Sequence, residues 1–243
     1  MFKKHSFLKK ISLIILAFMI VVIGLFMHVS HDRYKELVNE HPVSEIKTNL
    51  ISHHPNYLYY DDISKELINA TIAIEDRRFE DRYGFDYIAF ARAMLTNLIH
   101  MSFVEGGSTI EQQFIKIYYF NYESSLSRKL SEYYFVYDLD DNYTKHEIME
   151  MYLNVINYGD GYIGINDAAR GYFNKDAAEL DLYEASLLAG IPNAPAYLQL
   201  SNNNPETYER QRAILDAMLE QEFIDENEYQ DVIKRQAQAL NER

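Results

Sequence analysis

The sequence predicts a mainly α domain standing behind one membrane-spanning helix. Three observations predict it. Nineteen uncharged, mostly apolar residues run together near the N-terminus. Apolar residues then recur at helical spacing over most of the remaining chain. Chain breaks are confined to short Gly, Asn and Pro clusters, with no repeat, no low-complexity tract and no Pro/Gly-rich linker, so residues 30–243 read as one domain.

The first element is residues 11–29, ISLIILAFMIVVIGLFMHV, which carry no charge. At about 1.5 Å per residue such a helix spans roughly the ~30 Å hydrocarbon core. A cleaved signal peptide has a shorter apolar stretch and a small-x-small cleavage site, whereas this run ends in Met27-His28-Val29-Ser30-His31. It is read as a retained anchor; a buried core helix would show a polar face. Lys3, Lys4, Lys9 and Lys10 precede it, which places residues 1–10 in the cytoplasm and residues 30–243 outside.

Charge and composition then exclude whole classes. The net charge is −14, and residues 30–243 hold all 37 acids against 19 Lys and Arg. Nucleic-acid binding needs a dominant basic surface, so that class falls away. With 0 Cys, disulfide scaffolds, thiolate zinc sites and cysteine nucleophiles are absent too.

Residues 31–62 are mixed and polar, with a short strand expected around Tyr57–Tyr60. Ile63, Leu67, Ala70 and Ile74 then share a helical stripe, with Asp62 or Ser64 as cap, and this helix carries Glu75 and Asp76 at its end. Residues 86–101 form a second helical segment of heavy apolar content, broken at Gly106-Gly107. Ser108 and Glu111 fit a capping box, as N-cap and third helical residue, for a helix reaching about Tyr119. Further helices are expected at 126–137, 144–155, 163–172, 181–190, 205–221 and 225–240, with breaks at 157–161 and 191–195.

Four clusters could carry chemistry, and each has a plain structural reading. Glu75-Asp76-Arg77-Arg78-Phe79, two acids and two bases at a helix end, reads on its own as a solvated charge run. Gly106-Gly107-Ser108-Thr109, with Gln112, Gln113 and Lys116 following, can present backbone N–H groups to an anion or simply turn the chain. Arg128 and Glu132, with Lys129 between them, sit at i, i+4, the spacing of an ordinary surface ion pair. Tyr152-Leu153-Asn154 precedes a glycine-rich loop containing Gly159.

Taken in order, these elements make the sequence resemble the peptidoglycan glycosyltransferases of the penicillin-binding-protein type (glycosyltransferase family 51), in particular the monofunctional, membrane-anchored members. The Glu-Asp-x-x-Phe pattern is Glu75 to Phe79, followed by Gly84-Phe85-Asp86; Gly-Gly-Ser-Thr-Ile-x-Gln-Gln is Gly106 to Gln113, followed by Lys116. Arg-Lys-x-x-Glu is Arg128, Lys129 and Glu132; Lys145, Ile148 and Tyr152-Leu153-Asn154 follow, then Tyr158 to Ala169, then Glu184 to Gly190.

The resemblance implies a lysozyme-like, two-lobed α fold and polymerisation of lipid II into glycan strands. In that reaction the 4-hydroxyl of an acceptor N-acetylglucosamine attacks the anomeric carbon of the growing glycan chain, and undecaprenyl pyrophosphate leaves with inversion. It implies Glu75 as the base and Glu132 as the second catalytic carboxylate, organising cations or a divalent metal (Mg or Mn) at the pyrophosphate. Asp76, Arg78, Ser108, Gln112, Gln113, Lys116, Arg128 and Lys129 are implied in substrate binding. Phe79, Gly106, Gly107, Tyr152, Asn154 and Gly159 are implied as structural motif residues. No organic cofactor is expected, and the partners implied are lipid II, the growing glycan, membrane lipid at residues 85–104 and other cell-wall synthesis proteins.

Some positions depart from the pattern. Arg82 stands where His is usual, Ile117 follows Lys116 in place of Asn, and Ser124 and Ser131 occupy positions often basic. Glu111, where Ser or Thr is frequent, is accounted for by the expected capping box. The missing groups put donor affinity in question more than the identity of the base. Ser-x-x-Lys occurs at Ser6 to Lys9 in the tail and at Ser44 to Lys47, and since residues 30–243 read as one domain no transpeptidase is expected. Two other readings stay open: a non-catalytic membrane-anchored scaffold of the same fold, and a lysozyme-like glycan-cleaving enzyme.

Overall fold

The computed structural model describes residues 2–102, 106–123 and 125–241. Phe103 and Val104 of the expected membrane-contacting segment, and Ser124 among the departures, lie outside the described residues.

The expected mainly α architecture holds, and among the described residues the only β pairing is an isolated bridge between Asn157 and Ile163. Helix α1 spans Phe2–Glu40, so it continues past Val29, where the apolar run ends. Its stretch from Leu13 is long and apolar enough to cross a membrane. The part after Val29 docks against the domain: buried Ser30 lends its carbonyl to the Ser131 hydroxyl at 2.9 Å, and Tyr34 donates to Asp138 at 2.8 Å. That docking is why the polar stretch after Val29 stays helical.

Helix α2 (Ile46–His53) leads into a segment that forms no strand at Tyr57–Tyr60. The Asn154 side chain takes over the role of a strand partner there. It accepts from Leu58 N at 2.9 Å and donates to Leu58 O at 2.8 Å, while Glu150 accepts from Tyr57 and Tyr60. Helix α3 (Lys65–Glu75) is capped by Ser64, and α4 (Tyr87–His100) by Asp86. Helix α5 (Ile110–Tyr118) corrects the expected cap: Thr109 is the N-cap and Gln112 closes the box, which frees Ser108 and Glu111 for other contacts. Ser125 caps α6 (Leu126–Asn142), and Thr144 with Glu147 caps α7 (Lys145–Val155).

Helices α8 (Ile165–Phe173), α9 (Leu182–Gly190), α10 (Pro195–Leu198), α11 (Pro205–Glu220) and α12 (Glu226–Asn241) complete the chain. One apolar core runs through them, with Phe79, Phe114, Phe135, Tyr152 and Tyr158 fully enclosed. Helix α4 is the exception. Ala93 alone among its residues is buried, while Ile88, Phe90, Met94, Leu95, Leu98 and Ile99 are exposed. Gly107 lies against this helix, so close that an added Cβ would meet Ala93 Cβ at 3.0 Å. Gly106 has open space around it. Gly159 holds φ +76°, and an added side chain would run into Gln199 and the Pro195 carbonyl.

Candidate active site

Helix α5 presents two successive glutamines to two carboxylates. Gln113 donates to Glu75 at 2.6 Å, and Gln112 donates to Glu132 at 3.4 Å. A cap residue at Thr109 fixes the phase of the helix, so residues 112 and 113 point to different sides.

Glu75 closes α3 and is largely but not fully buried, at 16% exposure. Besides Gln113 it meets Arg210, which donates to its other oxygen at 3.1 Å. Gln113 is itself oriented by Tyr152, whose hydroxyl donates to the amide oxygen at 3.0 Å. That contact leaves the amide NH2 to face Glu75 and gives Tyr152 its structural role. Burial drives the Tyr152 hydroxyl far above the ordinary tyrosine range, so it stays a donor.

The second centre is crowded with positive charge. Glu132 is 1% exposed and is paired with Arg128 and, at 3.0 Å, with Lys129. The expected surface ion pair is therefore a buried one. Lys129 also donates to Ser108 at 2.9 Å, and Lys116 lies over the Tyr122 ring at 5.6 Å. Burial and its neighbours Arg128 and Lys116 lower the Lys129 ammonium to about 8. Burial and Arg128 lower Lys116 as well. Cations that depress one another in this way favour an incoming anion, and two phosphate groups would relieve that repulsion.

The remaining residues fall elsewhere. Asp76 is not at the open face; its carboxylate is buried and pairs with Arg82, and it accepts from Ile110 N at 3.2 Å. Arg78 turns away to Asp86, the α4 cap, reaching it through Nε at 3.1 Å. Phe79 is a core residue beneath Lys145, 5.1 Å from its ring centre. Glu111 is fully buried and pairs with Arg82 and Lys145, so its presence is not explained by a helix cap. Arg210 escaped sequence reasoning because it approaches from a helix 135 positions away whose polar pattern reads as a solvated face. Among the described residues no group of three or more His, Asp or Glu stands where it could hold a metal. Glu132, already engaged by Arg128, Lys129 and Gln112, does not fit a protein-held metal centre.

A helical domain holding one lightly paired carboxylate beside a cluster of cations is suited to moving a group off a phosphate. A profile of the transglycosylase family matches residues 39–219. The chain is 40% identical over 173 residues to penicillin-binding protein 2D of Bacillus subtilis, covering 71% of this chain and 25% of that protein. It is 37% identical over 179 residues to penicillin-binding protein 1A of Aquifex aeolicus, covering 74% and 25%. Penicillin-binding protein 1A of Neisseria lactamica is 38% identical over 181 residues, covering 74% and 22%. The chain thus spans about a quarter of the length of these relatives. The chain belongs to the transglycosylase family.

Proposed function

We propose that this chain is a peptidoglycan glycosyltransferase that polymerises lipid II into glycan strands and releases undecaprenyl pyrophosphate with inversion. The observation that carries the reading is the contrast between the two carboxylates: Glu75 faces one amide and one arginine, whereas Glu132 lies within a cation cluster.

A sugar hydroxyl becomes a competent nucleophile when a base takes its proton during attack. Glu75 accepts the proton of the acceptor 4-hydroxyl, and Gln113 and Arg210 hold the carboxylate in place. The acceptor oxygen bonds to the anomeric carbon as the bond from that carbon to the pyrophosphate oxygen breaks. The bonding pair leaves with the pyrophosphate, which requires positive charge and no acid. Lys116, Arg128 and Lys129 supply the charge, and Ser108 and Gln112 position the groups around them. A divalent ion arriving with the substrate would supply further positive charge to the departing pyrophosphate.

The same reading places α1 across the membrane, residues 1–10 in the cytoplasm and residues 30–243 outside. The exposed apolar face of α4 then meets the acyl chains and the polyprenyl tail. The full-length protein incubated with lipid II in detergent is expected to yield glycan polymer. Fragment release from finished peptidoglycan, with no polymer from lipid II, would instead favour the hydrolase, and inertness toward both would favour the scaffold.

A further inference from the structure

Arg82 and Glu111 occupy two positions that depart from the family pattern, and the structure brings them together. The Arg82 guanidinium, 6% exposed, pairs with both Asp76 and Glu111, and Glu111 is 0% exposed. From there the contacts close into a ring. The second Glu111 oxygen accepts from Lys145 at 2.6 Å, and Lys145 reaches Asp140 at 2.6 Å. Asp140 accepts from Gly84 N at 2.6 Å, and the Gly84 carbonyl accepts from Arg82 at 2.5 Å. The ring therefore ties four segments: the loop after α3, the first turn of α5, the end of α6 and the start of α7.

Three buried carboxylates share two cations here. Burial raises both Asp76 and Asp140 from their ordinary value, while Arg82 and Lys145 hold them down. Loss of Arg82 would take from buried Asp76 the cation it pairs with and leave Glu111 to share Lys145 with Asp140, a costly arrangement. Loss of Glu111 alone would be milder, because Arg82 keeps Asp76 and Lys145 keeps Asp140.

Position in the chain turns this into a statement about catalysis. Asp76 directly follows Glu75, and Glu111 directly precedes Gln112 and Gln113. The Asp76 carboxylate also accepts from Ile110 N, so the end of α3 is pinned to the start of α5. That junction sets the 2.6 Å contact between Gln113 and Glu75.

We propose that Arg82 and Glu111 are a matched pair of positioning residues for Glu75, exchangeable together and not singly. The proposal rests on the reading of Glu75 as the base. Neither residue touches that carboxylate; both act through the α3–α5 junction.

The test compares four full-length proteins: wild type, Arg82→His, Glu111→Ser and the double variant. His and Ser are the residues the resembled family usually carries at these positions. Arg82→His should lower kcat about tenfold with KM little changed, and Glu111→Ser about threefold, since a misplaced base costs turnover before binding. The double variant should recover to within about threefold of wild type, the coupling expected of residues in contact. A double variant no better than Arg82→His, or an Arg82→His protein with wild-type kcat, would overturn the proposal. A loss confined to KM would overturn it as well.

Crystal structures of the same proteins read Glu75 without reference to activity. They should show its carboxylate displaced from Gln113 in Arg82→His and returned in the double variant. Glu75 unmoved in Arg82→His overturns the pair whatever the substrate is. An inert wild type whose Glu75 nevertheless moves in Arg82→His overturns the polymerase reading and leaves the pairing supported.

Discussion

Glu75 and Glu132 are the same side chain on either side of one helix, and their surroundings give them different work. Glu75 keeps an exposed edge and faces an amide and one arginine; Glu132 is enclosed and held by Arg128, Lys129 and Gln112. A carboxylate saturated with cations is a poor proton acceptor and a good organiser of charge. One that is lightly paired and partly exposed is suited to the proposed role of proton acceptor. The roles of two acids in a site are set by what surrounds each of them.

The largest expected effect separates the two centres by activity. Glu75→Gln can turn its amide oxygen to Gln113, giving up the Arg210 contact, and removes the proposed base, so turnover should drop about 10³-fold, as for the loss of a positioned general base. Its melting temperature should stay close to wild type. Glu132→Gln should behave in the opposite sense in a thermal melt: it strands buried Arg128 beside Lys129, a loss of about 3 kcal/mol.

The cation cluster gives the next measurement. Lys129→Ala should raise KM for the lipid-linked donor about tenfold, the weight of one charge-assisted contact to phosphate. The pH dependence has a definite sign. Lys129 is held at about 8, below its ordinary value, so it is protonated below that pH and neutral above it. Anion binding favours the protonated form, so KM should climb as pH rises through about 8. Lys129→Arg should remove that alkaline limb, because guanidinium does not deprotonate there. The smallest effect belongs to Arg210→Ala, which loses one of two contacts to Glu75 and should cost about threefold in kcat.

Much of this site was legible because helix signals and motif residues are local. The break at Gly106-Gly107, the i, i+4 pairing of Arg128 with Glu132 and most helix spans read directly from spacing. The cap at α5 read one residue early, because Ser108 and Thr109 satisfy the same pattern and only packing chooses Thr109. Arg210 and the ring around Glu111 were hidden for another reason: their partners lie tens of residues away, and a charged residue's burial is not written in its own neighbourhood. Ser131 shows the same limit. A missing cation in sequence is, in the fold, a small buried residue on which α1 docks through Ser30.

The most direct test measures equilibrium binding of the lipid-linked donor and polymer formation at saturating donor, side by side, in Glu75→Gln and Glu132→Gln. The account predicts that Glu75→Gln binds as wild type and makes almost no polymer. Glu132→Gln should bind weakly and recover much of its turnover once saturated. Wild-type polymer formation by Glu75→Gln, or normal binding with abolished turnover in Glu132→Gln alone, would contradict it.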